Sequence, residues 1–302
     1  MAVNKNNVAD EFLTVRDLLR YAVGRFNASG IAFGQGASNA LDEAAFLILE
    51  LLHLPVGDIN PWLEARLTDD ERRDLVKLFE DRIFTRKPAA YLLNKSYIKG
   101  VPFYVDERVI VPRSFIGELL FSEALEEIMS EPEAVTRVLD LCTGSGCLAI
   151  LAAQQFPNAR VEAVELSEDA LEVARRNVEE HGLESRIVLH LGDLYEPLRS
   201  QRYDLILSNP PYVDANAMAH LPAEFRHEPA MALAGGKDGL DIVRRILAEA
   251  PKHLTPNGGI LCEIGRGRAI LEHDYSDLEF LWLDTEESSG EVFWISHEGL
   301  TQ

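Results

Sequence analysis

The sequence predicts an α/β protein in which a small all-helical domain precedes a doubly wound, mostly parallel sheet of seven strands. Two observations predict this fold class. Apolar residues recur three or four positions apart in the first part of the chain, and after residue 134 short apolar runs alternate with helical patterns. We expect residues 1–87 to form the helical domain, residues 88–114 to form a β-hairpin linker and residues 115–302 to form the sheet domain.

The helical domain is predicted by two amphipathic stripes. Val15, Leu18, Leu19 and Ala22 share one helix face, and a second stripe runs through residues 41–52. Acidic residues follow Ser38 and Thr68, where they suit the positive end of a helix dipole. We therefore expect Ser38 and Thr68 to be N-cap residues.

The hairpin and the sheet are predicted by short Val-, Ile- and aromatic-rich runs. In SYIKGVPFYVDERVIVPRS, Gly and Pro residues separate these short apolar runs, and this pattern favours a β-hairpin. The turn-like TEESSG between the last two strands predicts that one of them runs antiparallel at the edge of the sheet. Ligands of such sheets bind at the carboxyl ends of the strands. The predicted strands are 137–143, 159–167, 186–193, 203–209, 258–265 and the segments EFLWLD and EVFWIS.

The amino-acid composition limits the classes of binding partner and the cellular compartment that we expect. The formal charge of −21 argues against a sequence-specific nucleic-acid binder and favours basic partners, of which ribosomal proteins are one class. Cys142, Cys147 and Cys262 form no metal-binding or disulfide pattern, so we expect no metal site and a reducing, cytoplasmic compartment. No stretch is long and apolar enough for a signal peptide or a membrane span.

A glycine-containing loop, DLCTGSGCLAI, follows the first predicted strand of the sheet. Gly144 and Gly146 allow a sharp turn and a close approach of the backbone to a ligand. Glu165 ends the next strand nineteen residues after Gly146, where its carboxylate can accept both hydroxyls of a ribose. Asp193 ends the third strand and can reach an adenine edge. This arrangement leaves NAD and S-adenosyl-L-methionine both open.

Two residues favour S-adenosyl-L-methionine over NAD. Ala149 occupies the position of the third dinucleotide-binding glycine, although alanine is allowed there. Asp140 places an acid near the loop, which suits a ligand that carries an amino group and a sulfonium.

The segment LILSNPPYV ends a buried strand in an unusual tetrapeptide. Pro210 and Pro211 have no backbone N–H, so they end the hydrogen bonding of the strand, and they hold Asn209 in an extended conformation. The side-chain oxygen of Asn209 and the carbonyl oxygen of Pro210 can then accept the two hydrogens of a planar –NH2 group. Tyr212 can supply a flat face against the substrate. The sequence therefore predicts an amide or an exocyclic amine as the methyl acceptor. Its nitrogen would be held in line with the methyl group on the sulfonium.

Residues 88–302 resemble the HemK/PrmC/PrmB family of protein-glutamine methyltransferases. DLCTGSG, AVELS, GDLYEPL, YDLILSNPPYV, RHEPAMALAGGKDGL and CEIG occur in the family's order, and the helical part resembles the family's substrate-recognition domain. The resemblance implies a Rossmann-like class I methyltransferase sheet and S-adenosyl-L-methionine as the cofactor. It implies that Asn209, Pro210, Pro211 and Tyr212 hold a glutamine amide. We expect the cofactor beside Asp140, Cys142, Thr143, Gly144, Ser145, Gly146, Glu165, Asp193, Leu194 and Asn209.

Three strings distinguish the branches of this family. FYVDERVIVPRS, YVDANAM and FRHEPAMAL resemble the branch that methylates a glutamine of large-subunit ribosomal protein L-three, free or in an assembly intermediate. The release-factor enzymes carry an IPRPETE-like run, which is absent here. Glu165 departs from the aspartate that is frequent in the ribosomal-protein branch, but either carboxylate can accept both ribose hydroxyls. Cys142 is typical of that branch.

Three other functions stay open at this point. The first is glutamine methylation of release factors. The second is an amino methyltransferase for nucleic-acid bases, which would share the loop and the tetrapeptide but needs a basic surface. The third is a non-catalytic assembly factor, against which the intact cofactor loop argues. Glu228 and Glu263 are candidates either for supporting the cleft from behind or for a structural role.

Overall fold

The structure is a computed structural model, and it describes residues 8–129, 132–198, 200–286 and 288–301. The chain divides into two compact units. One contains the residues up to Ser96 together with Pro222–His227, and the other contains Tyr97–Leu221 and the residues from Glu228 onwards. The expected fold class is confirmed, since a helical N-terminal region and a seven-stranded sheet are both present.

The first unit consists of α-helices around an apolar core. Leu18, Phe26, Leu47 and Phe79 are fully buried in this core, and burial of each such side chain stabilises the fold by about 1.5–3 kcal/mol. The predicted stripe of the first helix is a packed face, whereas the second stripe is packed except at its start, where Leu41 is half exposed. The helices are α1 (Val15–Ser29), α2 (Ala40–Leu51), α3 (Asp69–Thr85) and α4 (Ala89–Leu93).

The two predicted N-caps had different outcomes. Thr68 caps α3 as predicted: its hydroxyl accepts the N–H of Glu71 at 3.3 Å, and the Glu71 carboxylate accepts the N–H of Thr68 at 2.7 Å. The prediction for Ser38 was wrong, because Asn39 caps α2 and accepts two backbone N–H groups of its first turn. Asparagine caps helices as well as serine does, so the two neighbours could not be distinguished from the sequence.

Residues 222–227 belong to the helical unit although both of their flanking segments belong to the other unit. The buried Glu224 carboxylate accepts the N–H of Ala32 at 3.0 Å and a guanidinium N–H of Arg86 at 3.1 Å. Arg82 lies 3.8 Å from the same oxygen and is itself fully buried. Buried charges of this kind are tolerated only when they are paired, so Glu224 fixes this segment within the helical unit.

The predicted β-hairpin is formed by β1 (Ser96–Ile98) and β2 (Val101–Phe103). Lys99 and Gly100 connect the strands, and both have positive φ, 50° and 78°. A two-residue turn with left-handed conformations at both positions matches the twist of the strands that it joins.

The second unit contains the seven-stranded sheet, in the order β5-β4-β3-β6-β7-β9-β8. All seven predicted strands are present. Each pairing among the first five strands of this order is parallel, whereas β9 runs antiparallel to both of its neighbours. The strands are β3 (Arg137–Leu141), β4 (Arg160–Glu165), β5 (Ile187–Leu191), β6 (Tyr203–Ser208), β7 (Leu254–Glu263), β8 (Leu281–Leu283) and β9 (Val292–Ser296).

The predicted position of the antiparallel strand was wrong. The antiparallel strand β9 lies inside the sheet between β7 and β8, and β8 is at the edge. A short turn requires only that two consecutive strands run in opposite directions and does not determine which of them is outermost. The longer and more buried β9 takes the inner position, since Val292 and Phe293 are fully buried whereas Leu281 of β8 is half exposed.

Helices cover both faces of the sheet. Alternate residues of β3 enter different cores: Val138 packs with α7, and Leu139 packs with α10. The chain winds from β3 to β5 on one side and continues through β6 on the other, so the point of reversal lies between β3 and β6. The helices of this unit are α5 (Ile116–Leu119), α6 (Glu123–Ile128), α7 (Cys147–Gln155), α8 (Glu168–Glu180), α9 (Ala215–Ala219), α10 (Asp241–His253), α11 (Arg268–Asp274) and α12 (His297–Thr301).

Every helix within the described residues is too short or too polar to cross a membrane.

Candidate active site

A cleft of about 880 Å³, including the open space at its mouth, lies at the carboxyl ends of the strands in the sheet unit. Seven of the predicted site residues line the cleft: Cys142, Gly144, Glu165, Asp193, Leu194, Asn209 and Pro211. The other predicted residues, Asp140, Thr143, Ser145, Gly146, Pro210 and Tyr212, lie outside its lining.

The glycine loop joins β3 to α7 and bends at residues with left-handed backbone conformations. Cys142, Gly144 and Gly146 have φ of 61°, 57° and 80°. The Glu165 carboxylate at the end of β4 accepts the N–H of Gly144 at 2.8 Å and the N–H of Ser167 at 2.9 Å. These contacts fix the direction of Glu165. A carboxylate has about four acceptor sites, so both oxygens keep the capacity to accept further hydrogen bonds.

Asp140 supports the loop from within the sheet unit. It is fully buried, and its Oδ2 accepts hydrogen bonds from the Thr143 hydroxyl and, at 3.1 Å, from the N–H of Ala149. Burial raises the pKa of Asp140 to about 7. Its other oxygen, Oδ1, has no hydrogen-bonding partner within the described part of the chain. A buried oxygen without a partner is costly, which is consistent with a ligand or an ordered water close to the loop.

Asp193 and Leu194 follow β5 at the far side of the cleft. One oxygen of Asp193 accepts a hydrogen bond from the Arg245 guanidinium at 2.8 Å, and Arg245 also lines the cleft. Leu194 has a φ of 50°. A left-handed conformation in a residue with a bulky side chain costs about 1–3 kcal/mol, and such strain is frequent at functional sites.

Asn209 lies on the wall of the cleft directly after β6. Its side-chain amide has no hydrogen-bonding partner within residues 8–129, 132–198, 200–286 and 288–301. Val213, the residue after the tetrapeptide, is fixed by two backbone hydrogen bonds. Its N–H donates to the carbonyl oxygen of Leu233 at 2.8 Å, and its carbonyl oxygen accepts the N–H of Gly235 at 2.9 Å. A rigid backbone therefore presents an unengaged amide to the cleft.

Tyr212 is turned toward the end of β7. Its hydroxyl donates to Oε1 of Glu263 at 2.9 Å. Its ring packs on Gly265, where an added Cβ would lie 2.9 Å from the ring carbons. Burial and the neighbouring Glu263 carboxylate hold the pKa of Tyr212 well above its ordinary range, so the phenol stays protonated.

Several lining residues were not predicted as site residues. Arg108, Val109 and Ile110 come from the segment after the hairpin, and Pro229, Met231 and Ala232 come from the segment HEPAMAL. Both segments contain strings that are characteristic of the family, but neither has a spacing that indicates a ligand contact.

We call residues 104–115 the strap. Two hydrogen bonds hold this segment: Asn177 of α8 accepts the N–H of Tyr104 at 2.7 Å, and Glu228 accepts the N–H of Val111 at 2.9 Å.

The chain has close relatives among known proteins. Residues 120–236 match the family model described as "Methyltransferase small domain". The ribosomal protein uL3 glutamine methyltransferase of Bradyrhizobium diazoefficiens is 58% identical over 95% of this chain and 91% of its own length. Its counterpart in Burkholderia pseudomallei is 55% identical over 94% of both chains, and that of Bordetella pertussis is 51% identical over 98% of this chain and 99% of its own length.

A solved methyltransferase structure has a similar fold over much of the chain. The catalytic domain of hMettl16, in complex with a MAT2A 3′UTR hairpin, is 16% identical and has a TM-score of 0.50 over 75% of this chain and 80% of its own. A likeness at this level concerns the fold, because one fold can carry many substrates. The identity over nearly the full length with the curated relatives is decisive for the family. The chain belongs to the ribosomal protein uL3 glutamine methyltransferases.

Proposed function

We propose that the chain transfers a methyl group from S-adenosyl-L-methionine to the side-chain amide nitrogen of a glutamine in ribosomal protein uL3, in the cytoplasm. The side-chain amide of Asn209, which has no hydrogen-bonding partner in the described structure and lies on the wall of a cleft that Glu165 also lines, is the observation that supports this function. A planar –NH2 group offers two hydrogens, and such a site selects it by accepting both. The names of the relatives support uL3 as the protein that carries the glutamine.

The residues around the cleft fit the proposed cofactor. Glu165 offers carboxylate oxygens for the ribose hydroxyls, and Asp193 offers a carboxylate for the adenine edge. Asp140 lies outside the lining of the cleft and supports the glycine loop through Thr143 and Ala149. These acids suit a ligand whose amino group and sulfonium are positively charged. When it is bound, S-adenosyl-L-methionine supplies an electrophilic methyl group.

The tetrapeptide holds the substrate nitrogen. The side-chain oxygen of Asn209 accepts one N–H of the glutamine amide, and the carbonyl oxygen of Pro210 accepts the other. The prolines restrict the backbone that carries both acceptors, so the nitrogen is oriented at a reduced entropic cost, with its lone pair less committed to conjugation. The amide nitrogen becomes acidic as it is methylated and loses its proton to water, so the chain needs no strong general base.

Replacement of Glu165 by alanine tests the cofactor side of this proposal. We expect the Kd for S-adenosyl-L-methionine to rise about tenfold to a hundredfold, because hydrogen bonds to a charged group contribute about 1.5–3 kcal/mol. Isothermal titration calorimetry measures this affinity without turnover. Glu168→Ala, at an exposed position in the first turn of α8, is the matched control and should bind normally. An unchanged Kd for Glu165→Ala would exclude the ribose role.

The substrate is tested by incubation with methyl-labelled S-adenosyl-L-methionine. The reactions contain free uL3, a ribosomal precursor that contains uL3, or a peptide chain release factor, and peptide mass mapping locates the label. We expect a single labelled glutamine in uL3. Label on the release factor alone would assign the chain to that substrate instead, and label on none of the three would refute glutamine methylation.

A further inference from the structure

Glu263 is a buried carboxylate that connects two functional segments of the sheet unit. It is the last residue of β7, only 1% of its surface is exposed, and burial raises its pKa. Its Oε2 accepts the Ser114 hydroxyl at 2.7 Å and the N–H of Phe115 at 2.9 Å, while Oε1 accepts the Tyr212 hydroxyl at 2.9 Å. The two hydroxyl donors lie 149 and 51 residues away in sequence.

The donors belong to two segments that also line the cleft. Ser114 and Phe115 end the strap, whose residues Val109 and Ile110 face the cleft. Tyr212 ends the tetrapeptide, whose residues Asn209 and Pro211 also face the cleft. One carboxylate therefore fixes the distance between the strap and the tetrapeptide.

We propose that Glu263 is a positioning residue for methyl transfer: through the Tyr212 hydroxyl it sets the orientation of the tetrapeptide against the strap. This inference rests on the proposed function, because the tetrapeptide is taken to hold the glutamine amide. Gly265 is part of the same arrangement. It has a φ of 53° and leaves the space that the Tyr212 ring fills, so the ring has one place to pack.

A carboxylate is needed here because the three neighbours are all donors. The N–H of Phe115 cannot turn, so a glutamine at position 263 must direct its oxygen toward Ser114 and Phe115. Its –NH2 group then faces Tyr212, which must accept this hydrogen bond and leave its own O–H without a partner. Glu263→Gln thus preserves shape and the contacts to the strap while it disturbs the one contact to the tetrapeptide.

The experiment is a double-mutant cycle of Glu263→Gln and Tyr212→Phe, read by kcat and KM for uL3 and by the Kd for S-adenosyl-L-methionine. We expect each single variant to lower kcat about tenfold to a hundredfold, because a small displacement of the tetrapeptide misaligns the amide. The Kd for the cofactor should change less than about threefold. The double variant should be no slower than the slower single variant, because both changes break the same hydrogen bond.

Glu228→Gln is the matched control, since Glu228 is also a buried carboxylate that holds the strap but contacts Val111 and Arg113. Combined with Tyr212→Phe, it should show weaker coupling than Glu263→Gln does, because no hydrogen bond joins Glu228 to Tyr212 within the described residues. Multiplying effects for the Glu263 and Tyr212 pair, or a normal kcat in Tyr212→Phe, would overturn the inference. If Glu263→Gln does not fold, Tyr212→Phe still tests the contact, because it removes only the hydroxyl.

The failure of the inference can be distinguished from a failure of the proposed function. If the wild-type chain transfers no methyl group to uL3, the proposed function fails, whatever the variants do. In that case the free energy of unfolding can be measured for the same two single variants and their double variant. This measurement still tests the connection between Glu263 and Tyr212. Independent effects on that free energy would overturn the inference separately.

Discussion

Replacement of Asn209 by alanine is expected to lower kcat for glutamine methylation by two to three orders of magnitude, on the order of the loss of one preorganised polar group at a reacting atom. The Kd for S-adenosyl-L-methionine should stay within about tenfold of the wild-type value. The side chain of Asn209 lies on the cleft wall without a hydrogen-bonding partner in the described structure, so its removal takes away an acceptor and breaks no hydrogen bond within the described residues. Single-turnover kinetics with labelled cofactor, together with calorimetry, measure both quantities.

Asn216→Ala is the matched control for this change. Asn216 is exposed in the short helix α9, where its backbone rather than its side chain makes the hydrogen bonds. Its replacement should leave both quantities unchanged. A normal kcat in Asn209→Ala would exclude Asn209 as an acceptor for the substrate amide. A hundredfold loss of cofactor affinity with normal kcat at saturation would instead make Asn209 a cofactor residue.

The features that could be predicted from the sequence are those that depend on local patterns. The alternation of strands and helices indicated the seven strands, because each strand is a short apolar run between turn residues. The spacing between Gly146 and Glu165 predicted that the loop after one strand lies beside the end of the next strand, and the Glu165 carboxylate lies 2.8 Å from the Gly144 nitrogen. This proximity follows from one strand–loop–helix unit and requires no long-range information.

The features that could not be predicted depend on contacts between distant residues. Glu224 joins the helical unit through Ala32 and Arg86, which lie 192 and 138 residues away in sequence. Glu228 and Glu263 were candidates from the sequence, but their contacts to the strap were not predicted. A single sequence contains no periodic signal for such pairs, because each is one acid among the 50 acidic residues of the chain. The choice between Ser38 and Asn39 as a cap failed for a different reason, since the two residue types have equal preference.

Replacement of Gly235 by alanine is the second change with a large expected effect. An added Cβ would lie 2.6 Å from Cα of Tyr212 and 2.7 Å from the carbonyl oxygens of Pro211 and Gly239. All three are backbone atoms, so the clash cannot be relieved by turning a side chain. We expect kcat to fall about a hundredfold, because the tetrapeptide must shift by a sizeable fraction of an ångström. We expect the free energy of unfolding to fall by about 1–3 kcal/mol, as in other overpacked sites.

Gly24→Ala distinguishes this clash from the general effect of replacing a glycine. Gly24 is exposed within α1, and an added Cβ there would meet no atom within 4 Å. This control should raise the free energy of unfolding by about 0.5–1 kcal/mol, since alanine favours the helix, and it should leave kcat unchanged. Chemical denaturation and steady-state kinetics on both variants give the comparison. If Gly235→Ala kept the wild-type kcat, the backbone of the tetrapeptide would tolerate displacement, and the rigid presentation of Asn209 would no longer explain how the substrate amide is held.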